Sequence, residues 1–132
     1  MKLQLALDGP LDAVLPVLAQ AHPYVDIVEA GTPLIYREGL HVLAELRTIA
    51  PDATLMADLK IMDAGQLEAD LAFEAGADMT TVLGVANDAT VRGAAASARA
   101  HGKVLVADMM QVADLPARGR ELLAMGCDYL CV

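Results

Sequence analysis

Short aliphatic runs return along this chain at intervals of roughly 20 to 28 residues, each closed by a Gly, Pro, Asn or Asp and followed by residues with helical spacing. No other property narrows the possible folds as far. The runs occupy 3–8 (LQLALD), 25–31 (VDIVEAG), 54–61 (TLMADLKI), 79–84 (MTTVLG), 103–110 (KVLVADMM) and 129–132 (YLCV). Between them, sets such as Leu40, Leu43, Ala44, Ile49 and Leu115, Leu122, Leu123, Met125 recur at helical spacing. Gly76, Gly102 and Gly126 stand where helices should stop in a left-handed residue. The order is βα five times, with a sixth strand begun. Strict alternation of aliphatic strands with helices predicts a parallel sheet covered by helices, either open and doubly wound or closed as a barrel. After the first run stands Asp8-Gly9-Pro10 rather than a G-x-G-x-x-G turn, which weakens the dinucleotide-binding alternative.

Length and charge restrict the rest. With 132 residues, 56% of them hydrophobic, the chain can fill one core and not two, so residues 1–132 are read as a single domain. A net charge of −9 disfavours nucleic acid or an anionic membrane surface as partner and favours a small substrate or another protein. Cys127 and Cys131 fit neither a disulfide framework nor a metal site with histidine, so both are expected to be reduced core thiols. The apolar part of MKLQLALDGP is too short for a signal peptide and no run is long enough to span a bilayer. A soluble, cytoplasmic protein is expected. A full (β/α)₈ barrel needs about 250 residues, so the 132 residues are expected to be the N-terminal portion of one, with open edges at the first and last strands that favour self-association.

Side chains alternate faces along a strand, and that alternation gathers the charges. Gln4, Ala6 and Asp8 share one face, as do Val25, Ile27 and Glu29, then Met56, Asp58 and Lys60, then Val104, Val106 and Asp108. Each set ends in a charged residue at the carboxyl end of its strand, where βα loops build active sites, and Asp63 follows just beyond. Carboxylates converging there would repel one another unless a cation, a proton or an ammonium intervened. Lys60 is such an ammonium, and a hard ion such as Mg²⁺ is the other remedy. Flanked by anions, Lys60 should stay charged, which suits electrostatic stabilisation and not Schiff-base chemistry. Structural readings stand beside these: Asp8 and Asp63 could cap helices, Lys60 and Asp58 could be an ion pair closing the barrel, and Asn87-Asp88 is read as a helix cap. His22, His41 and His101 are read as surface residues.

The stretches LQLALD, VDIVEAGTP (25–33), ADLKIMDAGQLEAD (57–70), AGADMTTVLGV (75–85) and DATVRGA (88–94) together resemble the 3-hexulose-6-phosphate synthases, in the orotidine 5′-monophosphate decarboxylase superfamily of (β/α)₈ barrels. Asp58-x-Lys60-x-x-Asp63 is similar to that superfamily's signature. The resemblance implies a (β/α)₈ fold and a Mg²⁺-dependent aldol condensation of formaldehyde with D-ribulose 5-phosphate through an enediolate, in the ribulose monophosphate pathway. It implies Glu29 and Asp58 as metal ligands, Asp8 and Lys60 as catalytic groups that contact substrate and stabilise the developing oxyanion, Asp108 as an acidic substrate-binding residue, and Asp63 as a catalytic residue reaching into the neighbouring subunit's site in a homodimer. Family members continue past this YLCV into a His-bearing loop and phosphate-gripping loops, so the 132 residues alone are expected to have little or no activity. The alternatives are a decarboxylase of the 3-keto-L-gulonate-6-phosphate type, a lysine Schiff-base aldolase, or a non-catalytic barrel fragment that self-associates.

Overall fold

A computed structural model describes residues 1–132. Strands β1 (Gln4–Leu7), β2 (Ile27–Ala30), β3 (Thr54–Ile61), β4 (Met79–Leu83), β5 (Val104–Asp108) and β6 (Tyr129–Cys131) lie side by side in chain order, every neighbouring pair parallel. Residues of the first and last strands border one concavity of about 880 Å³, so the sheet is curled into an incomplete barrel. Helices α1 (Leu11–Ala21), α2 (Thr32–Glu38), α3 (Val42–Ile49), α4 (Gly65–Glu74), α5 (Asp88–His101) and α6 (Leu115–Met125) form the connections. None is long and apolar enough to cross a membrane.

The two faces of the sheet have different company. Val28, Leu55, Ala57, Val82, Leu105 and Ala107 face the helices and join Leu18, Leu34, Leu46, Val91 and Leu122 in the main core. Met56, Met79 and Val106 form a small separate cluster on the concave face. This is the period-2 pattern of a strand buried on both sides. Asn87 caps α5, its side-chain oxygen accepting from the Thr90 N–H at 2.9 Å, and Gly102 and Gly126 end α5 and α6 in left-handed conformation. Helices α4 and α5 press together at Gly65, where a Cβ would collide with the Thr90 carbonyl oxygen.

Aspartates just before alternate strands tie the sheet at its amino-terminal edge. Asp26, Asp78 and Asp128 precede β2, β4 and β6, and each carboxylate accepts from the N–H of Leu3, Leu55 or Leu105 at 2.7, 3.0 and 2.9 Å. Each also donates its own N–H to the carbonyl of that same leucine. The result is a side-chain and main-chain lock between strands one and two, three and four, five and six. Asp78 is further held by Arg47 at 2.6 Å and Lys103 at 2.7 Å. Burial alone would raise the Asp78 carboxyl, but Lys103, the Leu55 N–H and Arg47 bring it below its ordinary value.

Several expectations need correction. The segment between β2 and β3 is two short helices broken at Gly39, and Ala44 is exposed while Val42 and Leu46 are buried. Leu115 and Leu123 are exposed because only Leu122 and Met125 of that set turn toward the sheet. Cys127 is a core thiol, pushed up to about 11 by burial, but Cys131 is exposed because it lies on the concave face opposite Asp108. His41 and His101 are exposed, as expected, and His101 at the end of α5 reaches back to α4, with the Phe73 ring at 5.5 Å and Asp70 at 3.3 Å.

Candidate active site

The third strand departs from regular pairing where its charges begin. Ala57 stands opposite Thr80 and Ile61 opposite Val82, so residues 58–60 share the single partner Thr81. Lys60 takes φ 51°, a left-handed conformation that costs a side-chain-bearing residue roughly 1–2 kcal/mol. Such strain persists where the surroundings enforce it. The bulge adds an even number of residues, so the inward and outward faces stay in step across it, and Asp58 and Lys60 both turn to the concave side.

There the Lys60 Nζ lies 2.8 Å from Asp58 Oδ2 and 2.8 Å from Asp108 Oδ2, with a longer contact of 3.1 Å to Asp58 Oδ1. Asp58 and Asp108 are buried, at 7% and 8% exposure. The Thr81 hydroxyl donates to Asp58 Oδ1 at 2.8 Å, and the Thr32 hydroxyl lies 2.8 Å from Oδ2 and 2.7 Å from the Asp58 carbonyl. The Met110 N–H donates to Asp108 Oδ1 at 2.9 Å. Burial would raise the Asp58 carboxyl, but hydrogen bonds from Lys60, Thr32 and Thr81 bring it below its ordinary value. Burial would lower Lys60, but its bonds to Asp108 and Asp58 hold it above its ordinary value. The centre is the Lys60 side chain held between Asp58 and Asp108.

Glu29, on the neighbouring strand β2, lines the same concavity and is oriented by the Gln4 amide, which donates to Oε2 at 2.5 Å. Its carboxyl is raised, first by burial, and also by the charges of Asp58 and Asp8, against the opposing effects of Gln4 and Lys60. Gln4 holds Glu29 through Oε2, and Oε1 accepts from no protein donor. The donors are hard oxygens, and no three His, Cys, Asp or Glu side chains converge into a metal cage. A hard divalent ion held through one or two carboxylates, with water and substrate completing its shell, suits this donor set.

Of the residues expected from the sequence, Glu29, Asp58, Lys60 and Asp108 are brought together around one concavity. Asp8 and Asp63 do not line it. Strand β1 ends at Leu7, so Asp8 is exposed at the rim, packed beside Gly31, where a Cβ would collide with its carboxylate. It makes no capping bond to α1, whose N-cap is Pro10. Asp63 is exposed on the loop before α4, accepting from the Ala64 N–H at 2.6 Å without capping the helix, while its carbonyl accepts from the Thr90 hydroxyl at 2.8 Å. The sequence reading missed Gln4, Thr32 and Thr81 as partners of the charged groups. Gln4 shares the inward parity of β1, and that signal was available.

A curled parallel sheet with helices on its convex side, and charges gathered at the strands' carboxyl ends, defines a (β/α)-barrel protein of the kind that works through those ends. The model of the orotidine 5′-phosphate decarboxylase / HUMPS family matches residues 1–132, and the chain belongs to that family. It is 47% identical over 131 residues to the 3-hexulose-6-phosphate synthase of Mycobacterium gastri, covering 98% of this chain and 63% of that protein. The crystal structure of 3-hexulose-6-phosphate synthase from Salmonella typhimurium superposes with a TM-score of 0.96 at 44% identity, over 100% of this chain and 63% of that one. The 3-keto-L-gulonate-6-phosphate decarboxylase of Vibrio cholerae superposes with a TM-score of 0.92 at 28% identity, over 98% of this chain and 60% of that one. The chain thus spans less than two thirds of the length of these relatives.

Proposed function

We propose that this chain carries the lysine and metal part of a 3-hexulose-6-phosphate synthase site, used for aldol condensation of formaldehyde with D-ribulose 5-phosphate. The carrying observation is the Lys60 side chain fixed between Asp58 and Asp108, in the same concavity as Glu29 on the neighbouring strand. The higher identity to a synthase than to a decarboxylase supports the same reading.

Glu29 and Asp58 would hold Mg²⁺, with Asp58 releasing the longer of its Lys60 contacts, because its four acceptor positions are otherwise filled. The ion supplies Lewis-acid stabilisation of the enediolate's negative charge. The rest falls to the chain. Asp108 within the concavity and Asp8 from its rim would orient the sugar hydroxyls, and a carbon of the enediolate attacks the formaldehyde carbonyl, forming a C–C bond and an alkoxide. Lys60, kept charged by its two carboxylates, donates to the developing oxyanion, where a fixed cation acts most strongly. Because its amine is not free, it does not form a Schiff base. Asp63, outside the concavity, is left to serve a partner subunit's site in a homodimer.

The test is formaldehyde consumption with ribulose 5-phosphate, with and without Mg²⁺, by this chain and by the chain joined to any sequence its gene encodes after Val132. Magnesium-dependent consumption by the longer form, with little or none by the 132 residues, is expected. Lys60→Ala should then lower kcat on the order of 10²- to 10³-fold, the loss typical of removing one oxyanion donor. Release of CO₂ from 3-keto-L-gulonate 6-phosphate without formaldehyde consumption would replace the proposal with the decarboxylase reading, and borohydride trapping at Lys60 would replace the mechanism.

A further inference from the structure

We propose that Thr81 is a positioning residue, whose one hydroxyl fixes both the strained backbone of Lys60 and the carboxylate of Asp58. Three β3 residues, 58–60, stand opposite Thr81 alone, which takes the Lys60 N–H out of the regular ladder register. The Lys60 N–H donates to Thr81 Oγ1 at 2.8 Å, and the same hydroxyl donates its own hydrogen bond to Asp58 Oδ1 at 2.8 Å. A hydroxyl has one donor and two acceptor positions, so it can hold both bonds at once. Thr81 is 3% exposed, which leaves little access for water to replace either bond. Its β-branch restricts χ1 and aims the oxygen into the bulge.

Valine would keep the branched shape and remove the oxygen. The Lys60 N–H would then be buried without an acceptor, an arrangement folded proteins avoid. The bulge would relax, taking Lys60 out of its left-handed conformation and its Nζ away from the gap between Asp58 and Asp108. Thr32 makes a useful contrast, because it holds Asp58 through the other oxygen and contacts nothing of Lys60. Only Thr81 joins the two.

Amide hydrogen exchange on the chain, Thr81→Val, Thr81→Ser and Thr32→Val tests this. The Lys60 amide should exchange roughly tenfold faster or more in Thr81→Val, the fold-change of one lost hydrogen bond, while amides across the rest of the sheet keep their rates. Thr81→Ser, which keeps the hydroxyl, should restore protection, and Thr32→Val should leave the Lys60 amide protected. An unchanged Lys60 rate in Thr81→Val, a uniform acceleration of the whole sheet, or failure of serine to rescue would each overturn the proposal. The kinetic consequence rests on the synthase reading: in the active form, Thr81→Val should lower kcat on the order of 10- to 100-fold with KM little moved, and Thr81→Ser should recover it. Absence of wild-type turnover would remove that reading and leave the exchange result to decide the role of Thr81.

Discussion

Glu29 is the residue whose burial works against the fold. Its folded carboxyl binds protons more tightly than the ordinary value of 4.5, so the native state holds more proton than the unfolded chain between that value and the raised one. Stability associated with Glu29 is therefore present at low pH and is lost as pH rises through the raised value. Glu29→Gln keeps an acceptor for Gln4 and removes the charge. The metal-free Glu29→Gln chain should melt above the wild type at pH 7, with the gap narrowing as pH falls toward 4.5, as read by thermal denaturation across pH. Added Mg²⁺ should raise the melting temperature of the wild type and not that of the variant, since ligand binding to the native state stabilises it by mass action. Asp58 runs the other way: its depressed carboxyl contributes stability above its ordinary value of 3.8 that is lost as pH falls through the folded value.

Among the elements, the α4–α5 pair has the least room. A methyl at Gly65 has nowhere to go but into the Thr90 carbonyl and the backbone of Ala94, so Gly65→Ala should destabilise by about 2 kcal/mol or more through forced separation of the helices. Urea unfolding measures it, with Gly76→Ala as a comparison in which no atom lies near but φ is 101°. The elements were also what the sequence showed best. All six strands fall within the aliphatic runs, because strands packed on both faces need continuous apolar residues and glycines stop the helices between them. Alternation assigned Glu29, Asp58, Lys60 and Asp108 to one face correctly, and the assignment of Lys60 survived the bulge only because that bulge adds an even number of residues. The bulge itself, the left-handed Lys60 and the hydroxyls of Thr32 and Thr81 were not legible, since they depend on which residue of a neighbouring element stands opposite. Cys131 was misplaced for a related reason: a thiol in an apolar strand looks buried until the strand is known to face an open concavity.

For the whole molecule, the concave face and both sheet edges set behaviour in solution. Leu3, Tyr129 and Val132 are exposed at 56%, 57% and 95%, beside unpaired strand edges. Such edges invite pairing with another chain. Size-exclusion chromatography of the 132 residues should show concentration-dependent association, and a sharply monomeric sample would refute this. The three aspartate locks, at Asp26, Asp78 and Asp128, have a consequence of a different kind. They recur some fifty residues apart and always join an odd strand to the even strand after it. The sheet is therefore assembled from equivalent pairs, each clasped within itself by the same acidic residue. Such a chain has a natural grain: cut or duplicated between pairs it keeps every clasp, and cut within a pair it loses one, so two strands are the smallest piece to move when the chain is re-engineered.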